Sequence, residues 1–313
     1  MTDAAVLHTV PPDLRGKLPE KLAGRLDVAV AETAAETRDL LADAEVAVTG
    51  RFDAELLDDA PALRWLQAMS AGVDYLPQDA LSEAGVALTS AAGVHAEPIG
   101  EQVLGYMLAF ERDLHVAARN QARGVWERDH DAGELAGKTL GIVGLGAIGS
   151  RVAQLGQAFR MEVVGTKRTP EDAPEAADEA FGPDGLATVL RRSDYLVVAC
   201  PLTDETRGLI GREELRTLGS DGVLVNVARG EVVDQEALVR ALQYRTIRGA
   251  ALDVFEEEPL PPDSPLWDLS NVVLTPHMAG STPKYADRLA DLFANNYDAY
   301  RSSGVDALEN RVV

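Results

Sequence analysis

Residues 140–168 constrain the fold of this chain more than any other stretch. Leu140–Val143 is a short apolar run of the kind that forms a buried parallel strand. Gly144-Leu145-Gly146-Ala147-Ile148-Gly149 follows at once. Helical periodicity then runs through Val152, Leu155 and Phe159, and a second strand is predicted at Glu162–Gly165. This strand, glycine turn, helix and strand form the βαβ context in which G-x-G-x-x-G signals dinucleotide binding. Gly144 allows a tight turn, Gly146 lets the backbone approach a pyrophosphate, and Gly149 lets the helix lie close to the strand. The pyrophosphate would meet free N–H groups, Ala147 and Ile148 included, at the positive end of the helix.

The end of the second strand bears on the choice of dinucleotide. An NAD site usually has an acid there, for the ribose 2′-OH. This chain has Thr166-Lys167-Arg168-Thr169. Lys167 and Arg168 would attract a 2′-phosphate, and Thr166 and Thr169 would add hydrogen bonds. The expectation is NADP(H) preferred, with NAD(H) possible. The plainer alternative is a pair of exposed loop charges. Lysine is rare, with five against 24 arginines, and one of the five sits at the ribose position.

A length of 313 residues suggests two domains. Five short strands alternate with helices at the start: Ala4–His8, Leu26–Val30, Val46–Val48, Trp65–Met69 and Val86–Leu88, with helices such as Glu32–Leu41 and Glu55–Asp59 between them. Such alternation gives a parallel sheet covered on both faces. A long helix is predicted from Pro98 through Leu114, then a polar stretch, Asn120–Glu134. The second sheet continues near Tyr195–Ala199, Val223–Asn226, Ala250–Leu252 and Val272–Leu274, with helices near Leu186–Arg192, Arg212–Leu218 and Gln235–Leu242. A last amphipathic helix, Pro283–Tyr300, starts in the second domain and leads back to the first. The fold class is α/β, with two Rossmann-like, doubly wound domains. The expected boundaries are 1–97 with 286–313 for a discontinuous, flavodoxin-like substrate domain, and 98–285 for the dinucleotide domain.

The net charge of −22 argues against nucleic acid and anionic lipid as partners. No segment reads as membrane-spanning, and the N-terminus lacks signal-peptide character. One cysteine excludes an internal disulfide and fits a cytoplasmic location. Acids spread along the whole chain suggest a high-salt cytoplasm, where self-repulsion is screened; a merely acidic protein is the plainer alternative.

Three segments follow predicted strands of the second sheet. They are Val227-Ala228-Arg229-Gly230, Asp253 through Glu258-Pro259, and Thr275-Pro276-His277-Met278-Ala279-Gly280. Taken singly, each has a plain alternative: a surface arginine, a solvated acidic loop, a structural histidine. Ligands of open α/β sheets sit at the carboxyl ends of strands, so the three can converge on one crevice. An arginine there can grip a carboxylate through two parallel hydrogen bonds.

With Gly144–Gly149 and Cys200-Pro201-Leu202-Thr203 plus Thr206, these segments occur in the order of the D-2-hydroxyacid dehydrogenase family, which the chain resembles over most of its length. The resemblance implies roles. His277 would be the general acid in 2-oxoacid reduction, with Glu258 on its other ring nitrogen favouring the imidazolium. Arg229 would hold the substrate carboxylate and carbonyl, and Asp253 would position the nicotinamide carboxamide. Gly144, Gly146, Gly149, Cys200, Pro201, Thr206, Val227, Ala228, His277 and Gly280 would line the cofactor, with Cys200 a packed neighbour and not a nucleophile. Ala71, Gly72 and Val73 would offer N–H groups to the substrate carboxylate, where an ordinary strand-to-helix turn is the alternative. His95 reads as a polar hinge residue, and His8, His115 and His130 as structural. No metal-ligand spacing occurs. Phe52, Met69, Tyr75 and Met278, with a partner-subunit residue, would shape the substrate pocket. The family usually forms dimers through the cofactor domain.

The function implied is NADPH-dependent reduction of 2-oxoacids to D-2-hydroxyacids. The alternatives are a glyoxylate/hydroxypyruvate reductase and, from another class, a dinucleotide-sensing binding protein like the corepressors of this fold. The lack of an appended regulatory or interaction segment disfavours phosphoglycerate dehydrogenase and the sensor. Reductive chemistry fits the basic pair better than formate or phosphite oxidation.

Overall fold

Tyr195, Leu196, Val197 and Val198 alternate between two separate apolar clusters, one on each face of a sheet. A strand covered on both sides must read as an unbroken apolar run, which is how this segment appears in sequence. The computed structural model describes residues 3–128 and 132–313, so His130 lies outside the described residues. The chain divides into two units, Met1–His95 with Thr282–Val313, and Ala96–Ser281. The breaks fall at His95 and Thr282, where residues 97 and 286 were expected.

The first unit contains β1 (Ala4–Val6), α1 (Pro12–Leu22), β2 (Val28–Val30), α2 (Ala34–Leu41), β3 (Val46–Thr49), β4 (Trp65–Ala68), α3 (Gln78–Glu83), β5 (Ala87–Thr89) and the C-terminal helix Tyr285–Ser303. Among the described residues its sheet is parallel with order β2-β1-β3-β4-β5, the flavodoxin-like doubly wound order. Val6, Val48 and Trp65 face one apolar cluster, Leu7, Ala47 and Leu66 the other. The C-terminal helix lies wholly in this unit and packs Phe293 on the fully buried Trp65, ring centroids 5.1 Å apart. Arg311 pairs antiparallel with Thr89, so the chain end covers the edge of β5. The helix expected at Glu55–Asp59 is only a short 3-10 turn, Ala54–Leu57.

The second unit opens with α4 (Ala96–Glu111) and α5 (Leu114–Ala122). These were expected as one helix; Asp113, at φ 50°, breaks it. α5 also runs into the polar stretch that begins at Asn120. Then come β6 (Thr139–Val143), α6 (Ala147–Ala158), β7 (Glu162–Thr166), β8 (Glu179–Phe181), α7 (Leu186–Arg192), β9 (Tyr195–Val198), α8 (Arg212–Leu218), β10 (Val223–Asn226), α9 (Gln235–Gln243), β11 (Gly249–Leu252) and β12 (Val272–Leu274). Among the described residues the sheet is parallel with order β12-β11-β10-β9-β6-β7-β8. The chain reverses its direction of travel between β6 and β9, which is where an open α/β sheet forms its ligand crevice. β8 is an edge strand of three residues, too short to show a pattern in sequence.

Candidate active site

The glycine turn sits at that crevice. Gly144 has φ 99°, and a Cβ there would stand 2.7 Å from Cys200 Cα, so the turn after β6 lies directly against the loop after β9. A Cβ on Gly149 would stand 2.1 Å from the Gly144 carbonyl oxygen, which ties the start of α6 to the strand end. Nothing lies within 4 Å of the Cβ position of Gly146. Its helix has neither a capping side chain nor an acidic residue in its first turn, whereas α2 and α9 are capped by Thr33 and Asp234. The open, exposed N–H groups of Gly146 and Ala147, with Ile148 half-buried behind them, suit a phosphate. The residues present therefore fit a dinucleotide.

The N–H groups of Gly144 and Leu145 donate to the Thr166 carbonyl at 3.1 and 3.0 Å, so the end of β7 is anchored beside the turn. Lys167, Arg168 and Thr169 follow immediately. Arg168 and Thr169 are exposed. Lys167 Nζ donates to the Asp172 carbonyl at 2.7 Å, across a turn that also carries Glu171. That bond leaves the ammonium charge in place.

The three strand-end segments meet along the same edge of the sheet. Asn226, the buried last residue of β10, accepts from the Ala228 N–H at 3.1 Å and donates to the Arg229 carbonyl at 3.0 Å. It shapes the turn that presents Arg229 above the buried Val227 and Ala228. A Cβ on Gly230 would stand 1.9 Å from the Phe255 carbonyl carbon, so this turn packs on the loop after β11. In that loop the three glutamates have different fates. Glu256 accepts from the Gln235 N–H at 3.0 Å and finishes the start of α9. Glu257 is exposed. Glu258 accepts from the Phe255 N–H at 3.0 Å through Oε1 and from His277 Nδ1 at 2.7 Å through Oε2.

His277 has φ 47°, a left-handed conformation that is strained for histidine. Asp253, only 2 % exposed, holds it there. The Asp253 carbonyl accepts the His277 N–H at 2.8 Å. Its carboxylate accepts the N–H groups of Met278 and Ala279, each at 2.9 Å, and the Thr275 hydroxyl. Thr275 in turn meets the Tyr106 hydroxyl of α4. Glu258 occupies Nδ1, which leaves Nε2 for chemistry on a half-exposed ring. Asn226 and Thr275 were not singled out in sequence. Their signal is a polar residue where an apolar strand stops.

The remaining expected residues are placed as follows. Cys200 is buried, and burial pushes its thiol up to about 11, so it stays protonated and packs. The Thr206 hydroxyl donates to the Pro201 carbonyl at 2.7 Å and accepts from the Thr203 N–H at 2.8 Å, holding its own loop. Gly280 lies half-buried in the turn after the His277 loop. Among the described residues no group of three or more His, Cys, Asp or Glu is placed to hold a metal.

In the first unit, Ala71, Gly72 and Val73 follow the carboxyl end of β4, and among the described residues their N–H groups have no acceptor. The Ser70 hydroxyl donates to the Gly72 carbonyl at 2.8 Å and fixes the turn. His95 stacks on Tyr285 at 5.0 Å. Phe52 is 1 % exposed in the core, so its ring is unavailable to a substrate, whereas Tyr75 and Met278 are exposed.

Residues 104–279 match the model of the D-isomer specific 2-hydroxyacid dehydrogenase NAD binding domain. The chain is 40% identical over 277 residues to a glyoxylate reductase of Aeropyrum pernix, covering 85% of this chain and 82% of the relative. It is 36% identical over 307 residues to a glyoxylate/hydroxypyruvate reductase B of Yersinia pestis, covering 95% and 93%. Among solved structures, an NADPH-dependent glyoxylate/hydroxypyruvate reductase of Sinorhizobium meliloti, in complex with NADP and sulfate, superposes with a TM-score of 0.84 at 28% identity, over 100% of this chain and 98% of the other.

The packing of Gly230 on Phe255 is directly testable. Gly230→Ala should cost about 1–3 kcal/mol of stability by overpacking, read from the urea midpoint. Unchanged stability would mean that the two loops do not touch.

Proposed function

The chain belongs to the D-isomer specific 2-hydroxyacid dehydrogenases, and from that premise we propose that it is an NADPH-dependent reductase of small 2-oxoacids, glyoxylate and hydroxypyruvate first among them. The observation that carries this reading is the His277–Glu258 hydrogen bond of 2.7 Å on the same sheet edge as the glycine turn and Arg229.

Gly144, Gly146 and Gly149 with the start of α6 would hold the pyrophosphate, and Lys167, Arg168 and Thr169 the 2′-phosphate. A dinucleotide held there would supply a hydride for C2 of the oxoacid. Arg229 grips the carboxylate and draws electron density toward the carbonyl oxygen, which is where negative charge develops. His277 donates its Nε2 proton to that oxygen, and Glu258, hydrogen-bonded to Nδ1, orients the ring. Asp253 keeps the histidine loop in place while these charges change. The unused N–H groups of Ala71, Gly72 and Val73 suit the substrate carboxylate as a small anion nest. The unit Met1–His95 with Thr282–Val313 thereby takes the role of substrate domain, and Ala96–Ser281 that of dinucleotide domain. The dehydrogenase reading is favoured over a dinucleotide sensor by the relatives named as reductases, since a binding protein of this fold can retain the same triad.

The acidic surface supports a high-salt cytoplasm as the working environment, and the exposed Leu114, Val125 and Trp126 of the second unit support a homodimer that covers them. Among the described residues no helix is long and apolar enough to cross a membrane.

Four experiments test these readings. Glyoxylate, hydroxypyruvate, pyruvate and longer 2-oxoacids, each offered with NADPH and NADH, should give turnover with NADPH favoured. His277→Gln should lower kcat about 100-fold or more in the same assay while cofactor still binds; near-normal turnover would remove the histidine from the acid role, and binding without any turnover by the unaltered protein would favour the sensor. Lys167→Asp with Arg168→Ser should shift preference toward NADH by at least about tenfold, and an unmoved ratio would reduce the basic pair to surface charge. A salt titration followed by circular dichroism and sedimentation should show loss of structure at low salt and a dimer mass in molar salt. Equal stability throughout, or a monomer mass, would sink the corresponding part.

A further inference from the structure

The second unit carries another recess, walled by the end of α4, α5, the turn after α9 and the segment before β12. Arg248 and Asn271 line it, and they directly precede β11 and β12. The recess therefore lies at the amino ends of those strands, whereas Glu258 and His277 follow their carboxyl ends. Its volume of about 570 Å³ is in the range of small-molecule sites.

Its lining runs against the charge of the molecule. In a chain of net charge −22, four arginines, Arg119, Arg123, Arg245 and Arg248, face this one recess. Among the described residues the acids lining it are Asp113 and Asp268. Arg248 is engaged: it donates to the Phe110 carbonyl at 3.0 Å and pairs with the buried Glu111 at 3.5 Å. Arg119 Nε donates to the His115 carbonyl at 3.1 Å, and Arg245 reaches the Ser270 hydroxyl at 3.4 Å. Among the described residues, Arg119, Arg123 and Arg245 form no ion pair, although carboxylates outnumber bases by 51 to 29 in this chain. The His115 ring packs on Phe110 with centroids 4.7 Å apart. Burial, joined by Arg119 and Arg248, pushes the His115 pKa below its ordinary value against the opposing Ala109 carbonyl and Asp113.

We propose that this recess is a binding site, separate from catalysis, for a small polyanion: an oxyanion ligand with two or more negative charges, carried on phosphate or on several carboxylates. Planar guanidiniums take such oxygens in pairs, and the half-exposed Trp267 gives an apolar wall for the carbon part of a ligand. An anion placed there offsets the arginines around His115 and so raises the pH at which that imidazole titrates.

The test uses the full chain saturated with NADPH, so that the start of α6 is already filled. Inorganic pyrophosphate and citrate are titrated separately, with potassium chloride holding ionic strength constant, and histidine ring signals are followed by NMR across pH. Either anion should raise the His115 pKa saturably. A response to pyrophosphate alone identifies phosphate as the recognised group, and a response to citrate alone identifies carboxylates. The triple variant Arg119→Gln, Arg123→Gln, Arg245→Gln should bind at least about tenfold more weakly, with turnover in the absence of either anion unchanged. The single exposed change Arg245→Gln should weaken binding in the same direction. A His115 response no larger than the chloride control overturns the proposal. Equal affinity in the triple variant also overturns it, because the anion then sits elsewhere.

Discussion

One buried carboxylate organises the chemistry of this protein. Asp253 lies at the end of β11, and its carboxylate oxygens accept from Thr275, Met278 and Ala279 while its own carbonyl takes the His277 N–H. A charge out of water needs that many donors. The return is that a histidine stays in a left-handed conformation, at a cost of about 1–3 kcal/mol, with its ring turned to Glu258. Tyr106 extends the same chain of bonds to α4, so the histidine loop is referred both to the sheet and to the helix beside it. The pair that would move a proton depends on a third acid that moves none.

The parallel sheet explains how residues so distant in sequence come to act together. Gly144 follows β6, Cys200 follows β9, Arg229 follows β10, Glu258 follows β11 and His277 follows β12, and these strands are neighbours in that order. At roughly 4.8 Å per strand the edge becomes a linear array, with the glycine turn at one end and the His277–Glu258 pair at the other. Right-handed crossovers return every strand in the same direction, so each carboxyl end is delivered to the same side.

This is why so much of the site was legible in the sequence. A buried parallel strand is an unbroken apolar run, and the first polar residues after it are the ones aimed at the crevice. Gly144–Gly149 and the segments that carry Arg229, Glu258 and His277 were visible on that ground, while the roles of those three residues came with the family resemblance. What was hidden depended on partners far away in sequence. The resemblance gives Asp253 to the nicotinamide carboxamide, but its hold on the histidine loop shows only once the loop after β12 is seen folded onto it. Thr206 resembles a cofactor ligand, yet its hydroxyl is used inside its own turn. Phe52 reads as a pocket residue and is core. The break at Asp113 is invisible to periodicity because both helices keep apolar positions in step across it.

The C-terminal helix and the pairing of Arg311 with Thr89 have a consequence for how the chain is made. The unit Ala96–Ser281 is continuous, so all its strands exist once residue 281 has been synthesised. The other unit cannot bury Trp65 until Phe293 arrives, and the edge of β5 stays unpaired until the last residues emerge. The half of the molecule that is translated first is therefore completed last. During that interval its apolar sheet face and open strand edge are the parts of the nascent chain most exposed to aggregation.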